Sequence, residues 1–201
     1  MVTLLTYAGD VPANAPVLRT GGVPLAPAGF EWPHCAKCGG PMMFLAHLPV
    51  DAGVVSVFMC QNQPGLCEEW DPAAGSNRAH LYPADAALPP VSAHPDGPTL
   101  LPVVNGLRPT ESAADEYPDA VTAWSEAGNE RRDALGQLGG EPCRLQADED
   151  PACPGCGRTM DFALMLEAGR DYRSGMNFGG DGWGYVFTCA GCERAAFLWQ
   201  C

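Results

Sequence analysis

The chain has 201 residues and a formal net charge of −13 at neutral pH, from 24 acidic and 11 basic residues. An acidic surface repels the phosphate backbone, so the composition argues against nucleic acid as a ligand and is compatible with a basic protein partner. Glycine (24 residues) and proline (20 residues) are abundant, which favours short strands and many turns over long helices.

The N-terminal residues 1–16 contain no early lysine or arginine and only a short apolar run, so we expect no secretory signal. No stretch approaches the roughly 20 apolar residues of a membrane span. We therefore predict a cytoplasmic protein with no membrane partner. In that compartment paired cysteines are expected to be metal ligands and not disulfides.

Two parts of the chain match each other in the order and spacing of their motifs. Ten residues separate the proline of the first motif from the first cysteine of the Cys-x2-Cys motif in both copies. Such ordered agreement predicts an internal duplication. The repeated motifs are Gly-Gly-x-Pro at 21–24 and 139–142, Cys-x2-Cys at 35–38 and 153–156, and Val-Phe-x-Cys at 57–60 and 186–189.

This match predicts a first repeat at 1–82 and a second repeat at 139–201, which form one compact pseudo-twofold unit. Residues 83–138 are predicted to connect them, beginning with a Pro/Ala-rich irregular stretch. Within the connector, 99–104 is predicted as an edge strand, because its proline excludes a central position. Residues 118–127 are predicted as a short helix packed on the sheet, with a proline at its first position.

Apolar runs rich in β-branched and aromatic residues predict strands in each repeat, separated by turn sequences that contain Gly and Asp. The predicted fold class is mostly β, α+β at the margin: an internally duplicated β-sheet protein with two four-cysteine zinc sites and a short connecting helix. The predicted strands are 42–50, 54–60 and 78–82 in the first repeat, and 160–168, 184–189 and 194–199 in the second.

Four cysteines of the second repeat have the spacing of a tetrahedral metal site. Such a site needs four sulfur atoms around one ion, and a Cys-x2-Cys turn supplies two of them from one tight loop. Two such turns, separated by 32 residues, favour zinc. The predicted ligands are Cys153, Cys156, Cys189 and Cys192.

The first repeat contains a looser version of the same site. Its fourth cysteine follows the third after six residues instead of two, and the insert contains a Pro-Gly turn that could return the chain to the site. With four thiolates, each zinc ion has no open coordination position, so both ions are predicted to be structural. The predicted ligands are Cys35, Cys38, Cys60 and Cys67.

Two alternatives stay open for these cysteines. His34, His47 or His80 could replace Cys67 as the fourth ligand, although an all-sulfur repeat favours the cysteine. The Cys-x2-Cys pairs could also be redox-active, but such a pair is expected to open a helix, and here a strand-like run follows. Cys143 is interpreted as a small buried residue and Cys201 as a terminal thiol.

No motif pairs a nucleophile with a base, so no catalytic residue and no organic cofactor site is predicted. The Gly-rich stretch 178–187 precedes a strand-like run and lacks lysine, so we interpret it as a hairpin turn and not as a phosphate loop. The alternative is a ligand-contacting loop in which Asp181 and Trp183 are exposed. The acidic stretch 111–119 is interpreted as a solvated face.

Several motifs together resemble the YwqG-like bacterial family, a group of unassigned function, along almost the whole chain. They are "GGVP" at 21–24, the Cys-x2-Cys-x3-Met-x-Phe pattern, "LGGEP" at 138–142 and "NFGGDGWGYVFTC" at 177–189. This resemblance implies a mostly β structure with internal duplication. The order of the repeated motifs is also similar to that of the programmed cell death protein 2 family, whose members are linked to the chaperoning of ribosomal proteins.

The sequence therefore favours a zinc-stabilised, non-enzymatic protein-binding module, chaperone-like toward a basic protein client. The alternative is an enzyme of unknown reaction with a pocket between the two repeats, because clefts between similar units often bind small ligands. A plainer third interpretation is a structural component of a larger assembly.

Overall fold

The fold is one antiparallel sheet, and the prediction of a mostly β protein is confirmed. A computed structural model describes residues 1–147 and 149–201. Among these residues there is one α-helix, α1 (Tyr117–Glu126), and two short 3-10 turns. The strands are β1 (Val2–Asp10), β2 (Arg19–Thr20), β3 (Met43–Val50), β4 (Gly53–Met59), β5 (Asn77–Tyr82), β6 (Asn105–Ser112), β7 (Ala134–Leu138), β8 (Asp161–Glu167), β9 (Trp183–Cys189) and β10 (Arg194–Gln200).

The sheet curls until its two edges almost meet. The strand order is β10-β9-β8-β7-β1-β6-β2-β3-β4-β5, and the edge strands β5 and β10 lie beside each other without a hydrogen-bonded ladder between them. Alternate residues of the strands point inward and form an apolar core, which the curled sheet shields from water. This interior includes Leu5, Leu48, Val57, Leu164 and Phe197, each 0 or 1% exposed.

Because every neighbouring pair of strands is antiparallel, the chain connections fall at two opposite ends of the sheet. We call one the hairpin end, since β3 and β4 are joined there by the two-residue turn 51–52. We call the other the loop end, since β8 and β9 are joined there by the long segment 168–182. The segments before β8 and after β9 lie at the hairpin end, whereas those before β3 and after β4 lie at the loop end.

The strands of the two repeats pair with matching registers. Phe44 of β3 lies opposite Phe58 of β4, and a bulge follows directly after Phe44. Phe162 of β8 lies opposite Phe187 of β9, with a bulge at the same relative position. This agreement parallels the repeated motifs, and the duplication itself stays a prediction about the history of the chain.

Two central strands, β1 and β6, were not predicted from the sequence. They pair along most of their length, from Val2 opposite Ser112 to Asp10 opposite Asn105. The strand expected at 99–104 is reduced to a single parallel bridge between Leu100 and Phe44. Pro109 lies within β6, where it is tolerated because the short β2 pairs only with the first two residues of β6.

The predicted helix is confirmed with a shift of one residue. Pro118 occupies its first turn and Asp119 adds an acidic side chain there, both of which favour a helix N-terminus. Tyr117 and Val121 pack against the outer face of the sheet beside β1 and β9. Within the described part of the chain, no helix has the length and apolar character needed to cross a bilayer.

Candidate metal centres

The eight predicted cysteines assemble into the two predicted groups of four. Within each group all four sulfur atoms lie within 4.8 Å of one another. All ten cysteines of the chain are free thiols, so neither group is a pair of disulfides. No histidine belongs to either group among the described residues. Site 1 contains Cys35, Cys38, Cys60 and Cys67, and site 2 contains Cys153, Cys156, Cys189 and Cys192.

The sulfur separations fit a tetrahedral ion. Four sulfur atoms bound at ~2.3 Å to one zinc ion are separated from each other by about 3.8 Å. The Sγ atoms of Cys38 and Cys60 are 3.7 Å apart, and those of Cys156 and Cys189 are 3.8 Å apart. A disulfide would bring the two sulfur atoms to about 2.05 Å. The donor set and its dimensions therefore fit a metal ion.

The first two ligands of each site are held by the same backbone turn. In site 1 the amide of Gly39 donates to the carbonyl of Cys35 over 2.8 Å, and in site 2 the amide of Gly157 donates to the carbonyl of Cys153 over 2.8 Å. Both glycines have φ values above +70°, a conformation that is costly for other residues. The turn directs both thiols of a Cys-x2-Cys pair to the same point.

Site 1 lies at the loop end and is well buried. The insert before Cys67 returns the chain to the site through a turn in which the amide of Leu66 donates to the carbonyl of Gln63. As a result Cys67 is only 1% exposed and completes the group. The side-chain amide of Asn62 lies 3.4 Å from Sγ of Cys60 and 3.6 Å from Sγ of Cys38, where its N–H groups can stabilise thiolates.

Site 2 lies at the hairpin end and is more accessible. Cys156 is exposed and Cys192 is half-buried, whereas Cys153 and Cys189 are buried. Hydrogen bonding from Arg158 to Cys156 brings a cationic group beside the thiols. A short 3-10 turn, Ala190–Cys192, follows β9 and positions the fourth ligand.

The pKa values of the thiols diverge within each group because the sulfur atoms interact. Hydrogen bonding with Arg158 lowers the pKa of Cys156 to about 6, whereas hydrogen bonding with Cys156 and the other thiols raises the pKa of Cys192 to about 12. Burial raises the pKa of Cys67 as well. Burial also opposes ionisation of Cys35, but a hydrogen bond with Ser76 and backbone amides lower its pKa to about 7. Four thiolates at this distance repel each other unless a cation lies among them, so the groups suit a divalent ion.

The other candidate residues lie outside both sites. His34 is exposed, and its Nδ1 lies 2.9 Å from the carbonyl of Trp32. His80 packs in an aromatic cluster on the outer face of β5, with its ring stacked on Tyr82. Cys143 is half-buried, and Cys201 is exposed as expected of a terminal thiol.

The Gly-rich stretch leads into β9, which pairs with β8, but the long segment 168–182 joins these two strands in place of the expected tight hairpin turn. Asp181 is exposed in the connection before β9. Trp183 is half-buried and packs edge-on against Tyr117, with ring centroids 5.3 Å apart. Of the two residues expected to be exposed in a ligand-contacting loop, only Asp181 is fully exposed to solvent.

A cavity of about 1050 Å³ lies at the hairpin end, beside site 2. Residues of both repeats line it, including His47 and Asp51 from the first and Asp161 and Thr188 from the second. His47 was considered in the sequence only as a metal ligand, and the cavity was not located. Its walls come from strands far apart in the chain, which no local pattern reveals.

Neither protein-family models nor curated proteins match this chain, so its function is argued from its own geometry.

Proposed function

We propose that this chain is a zinc-stabilised, non-enzymatic module that binds a basic protein client in a chaperone-like manner. The observation that carries the proposal is the pair of closed four-cysteine groups, one at each end of the sheet. Four thiolates leave a zinc ion no open position for water or substrate, so the ions stabilise turns and do not catalyse.

Zinc is the proposed ion because of the donor set. Soft thiolate ligands in a tetrahedral arrangement suit zinc or iron, and the absence of carboxylate or carbonyl oxygens in the groups disfavours magnesium and calcium. Isolated four-thiolate sites in a fold with many turns are typical of structural zinc. Free thiols at all ten cysteines are compatible with the cytoplasmic location that we propose.

A basic client is proposed because of the charge of the molecule. The excess of 13 negative charges attracts cationic surfaces and accelerates their encounter at low ionic strength. The similarity of the repeated motifs to those of the programmed cell death protein 2 family, whose members are linked to the chaperoning of ribosomal proteins, supports the same direction. This similarity rests on the motifs quoted above.

The client proposal is tested with the zinc-loaded protein immobilised as bait. Captured proteins are identified and their net charges compared with those of the whole lysate, and the binding of each purified candidate is measured at two salt concentrations. We expect Arg- and Lys-rich proteins whose binding weakens as salt is raised, and suppression of their aggregation by the soluble module. Capture of proteins with no excess positive charge, or binding that is insensitive to salt, contradicts the proposal.

An enzyme remains the second candidate because the cavity at the hairpin end is lined by both repeats, the position expected of a ligand site between similar units. No nucleophile hydrogen-bonded to a base lines it among the described residues, and no reaction can be written from its side chains.

A further inference from the structure

The two ends of the sheet are closed to different extents. At the loop end, the segment 168–182 folds back over the interior, and Met176 and Phe178 are buried in the apolar core against Phe197 and Trp199. At the hairpin end, the corresponding connection is only the two-residue turn 51–52. No comparably long segment joins β3 and β4, and a cavity of about 1050 Å³ lies at this end.

The wall of this cavity is apolar with a negative rim. Leu18, Val50 and Leu138 face it and also pack against the interior core. The charged residues among those that line it are Asp51 and Asp161, both exposed, and no lysine or arginine of the described chain lines it. An occupant complementary to these walls combines aliphatic groups with positive charge.

His47 adds a neutral polar group to the wall. Its side chain is 2% exposed, and its buried Nδ1 has no hydrogen-bond partner among the described residues. Burial and the neighbouring Arg19 lower its pKa to about 4, so the ring is uncharged at neutral pH.

The cavity continues over the rim of the sheet. Leu18 and Leu138 belong to its inner part, whereas His47 and Pro49 lie on the outer face of β3, alternating with the inward Leu48. Ala84 and Leu88, from the segment after β5, line the outer part. A cleft that passes from the interior to the outer face fits an extended chain better than a compact small molecule.

We propose that this cavity binds an extended segment of the basic client, with an aliphatic side chain inserted in the hairpin end and a neighbouring lysine or arginine paired with Asp51 and Asp161. The inference rests on the proposed function and specifies its binding site. The remaining surface charge then guides the encounter, while the cavity selects segments that alternate aliphatic and basic residues.

The test measures fluorescence anisotropy of labelled peptides with the zinc-loaded, full-length protein. The probe is a short peptide in which leucine alternates with arginine. Two companion peptides replace every leucine by serine or every arginine by glutamate. We expect the leucine–arginine peptide to bind at physiological salt. The dissociation constant of each companion peptide should be higher by a factor of about ten or more.

Two pairs of variants locate the peptide on the protein. Asp51→Lys is expected to weaken binding about tenfold, whereas Glu126→Lys, the same charge change at the exposed end of α1, should have little effect. Ala84→Trp narrows the cavity from an exposed position, and Ala87→Trp is its control, because Ala87 is equally exposed in the same segment but does not line the cavity. Only the first of each pair should weaken binding, with far-UV circular dichroism unchanged.

The outcomes separate the two proposals. If the serine–arginine peptide binds as tightly as the probe and all four variants bind alike, the cavity proposal is overturned while a basic client remains. If no arginine peptide binds and no basic protein is captured, both the cavity proposal and the basic-client proposal are overturned. If Ala84→Trp alters self-association in sedimentation while the peptides do not bind, the occupant is a second copy of the chain and the cavity proposal is again overturned.

Discussion

The guanidinium group of Arg19 is buried, and no carboxylate of the described residues forms an ion pair with it. The side chain is 0% exposed, and it donates hydrogen bonds to the backbone carbonyls of Ala15, Gly21 and Val23. Gln137 lies two residues before the second Gly-Gly-x-Pro motif, as Arg19 lies before the first, and it donates to two carbonyls in the same relative positions. The two residues therefore fasten equivalent turns, one with a charged side chain and the other with a neutral one.

Replacing Arg19 is expected to lower the free energy of unfolding, and the loss should increase with the number of hydrogen bonds removed. Arg19→Leu leaves one buried and two partly buried carbonyls without these donors and should lower the free energy of unfolding by about 3 kcal/mol. Arg19→Gln keeps part of the donation, as Gln137 does, and should cost about half as much. Urea denaturation of the zinc-loaded variants, followed by tryptophan fluorescence, measures both. An Arg19→Leu variant as stable as the wild type would show that removing the buried charge offsets the lost hydrogen bonds.

The buried His47 makes stability depend on pH. Its pKa is about 4 in the folded protein and 6.5 without burial, so the unfolded chain binds the proton more readily between these values. The stabilising contribution is complete above pH 6.5 and is lost as the pH falls toward 4. Between pH 7 and pH 5 the loss from this residue is about 1 to 2 kcal/mol.

His47→Gln should therefore have a flatter stability profile than the wild type from pH 7 to pH 5. Urea titrations at matched zinc concentration measure the difference, and protonation of the cysteines affects both proteins equally. Parallel profiles for the two proteins would contradict the neutral state assigned to His47.

Among the structural elements, those predicted correctly from the sequence are determined by residues close together in the chain. A Cys-x2-Cys pair followed by a glycine specifies its own turn, and Pro118 with Asp119 specifies the start of α1. β1 and β6 were missed because their strand character depends on pairing across more than 100 residues of chain. Pro109 is unfavourable inside a strand, and β6 accommodates it because β6 pairs there with β1 only.

The two cysteine groups should release their ions at different rates. Cys35, Cys60 and Cys67 of site 1 are at most 2% exposed, whereas Cys156 of site 2 is exposed, so a chelator reaches site 2 first. We expect two phases of zinc transfer to a chromogenic chelator. Cys156→Ser should remove the fast phase and Cys38→Ser the slow one. A single phase, or loss of the slow phase in Cys156→Ser, would contradict this order.

At the scale of the whole molecule, the curled sheet places one metal group at each end and leaves a cavity at only one of them. The repeated motifs predicted both groups, including the return of Cys67 after its longer insert. A pocket between the repeats was expected as an alternative, but its place at the hairpin end could not be predicted, because that place depends on how the sheet closes. The turn at 51–52 is short where the segment 168–182 is long.

The metal content of the purified protein tests the central claim most directly. Elemental analysis of protein prepared without added metal should find zinc in a ratio of two ions per chain, one for each four-cysteine group. Cys189→Ser, which removes one ligand from site 2, should reduce this ratio to about one while leaving site 1 loaded. Protein that contains no metal and retains its full thermal stability in the presence of a strong chelator, with all thiols reduced, would contradict the account.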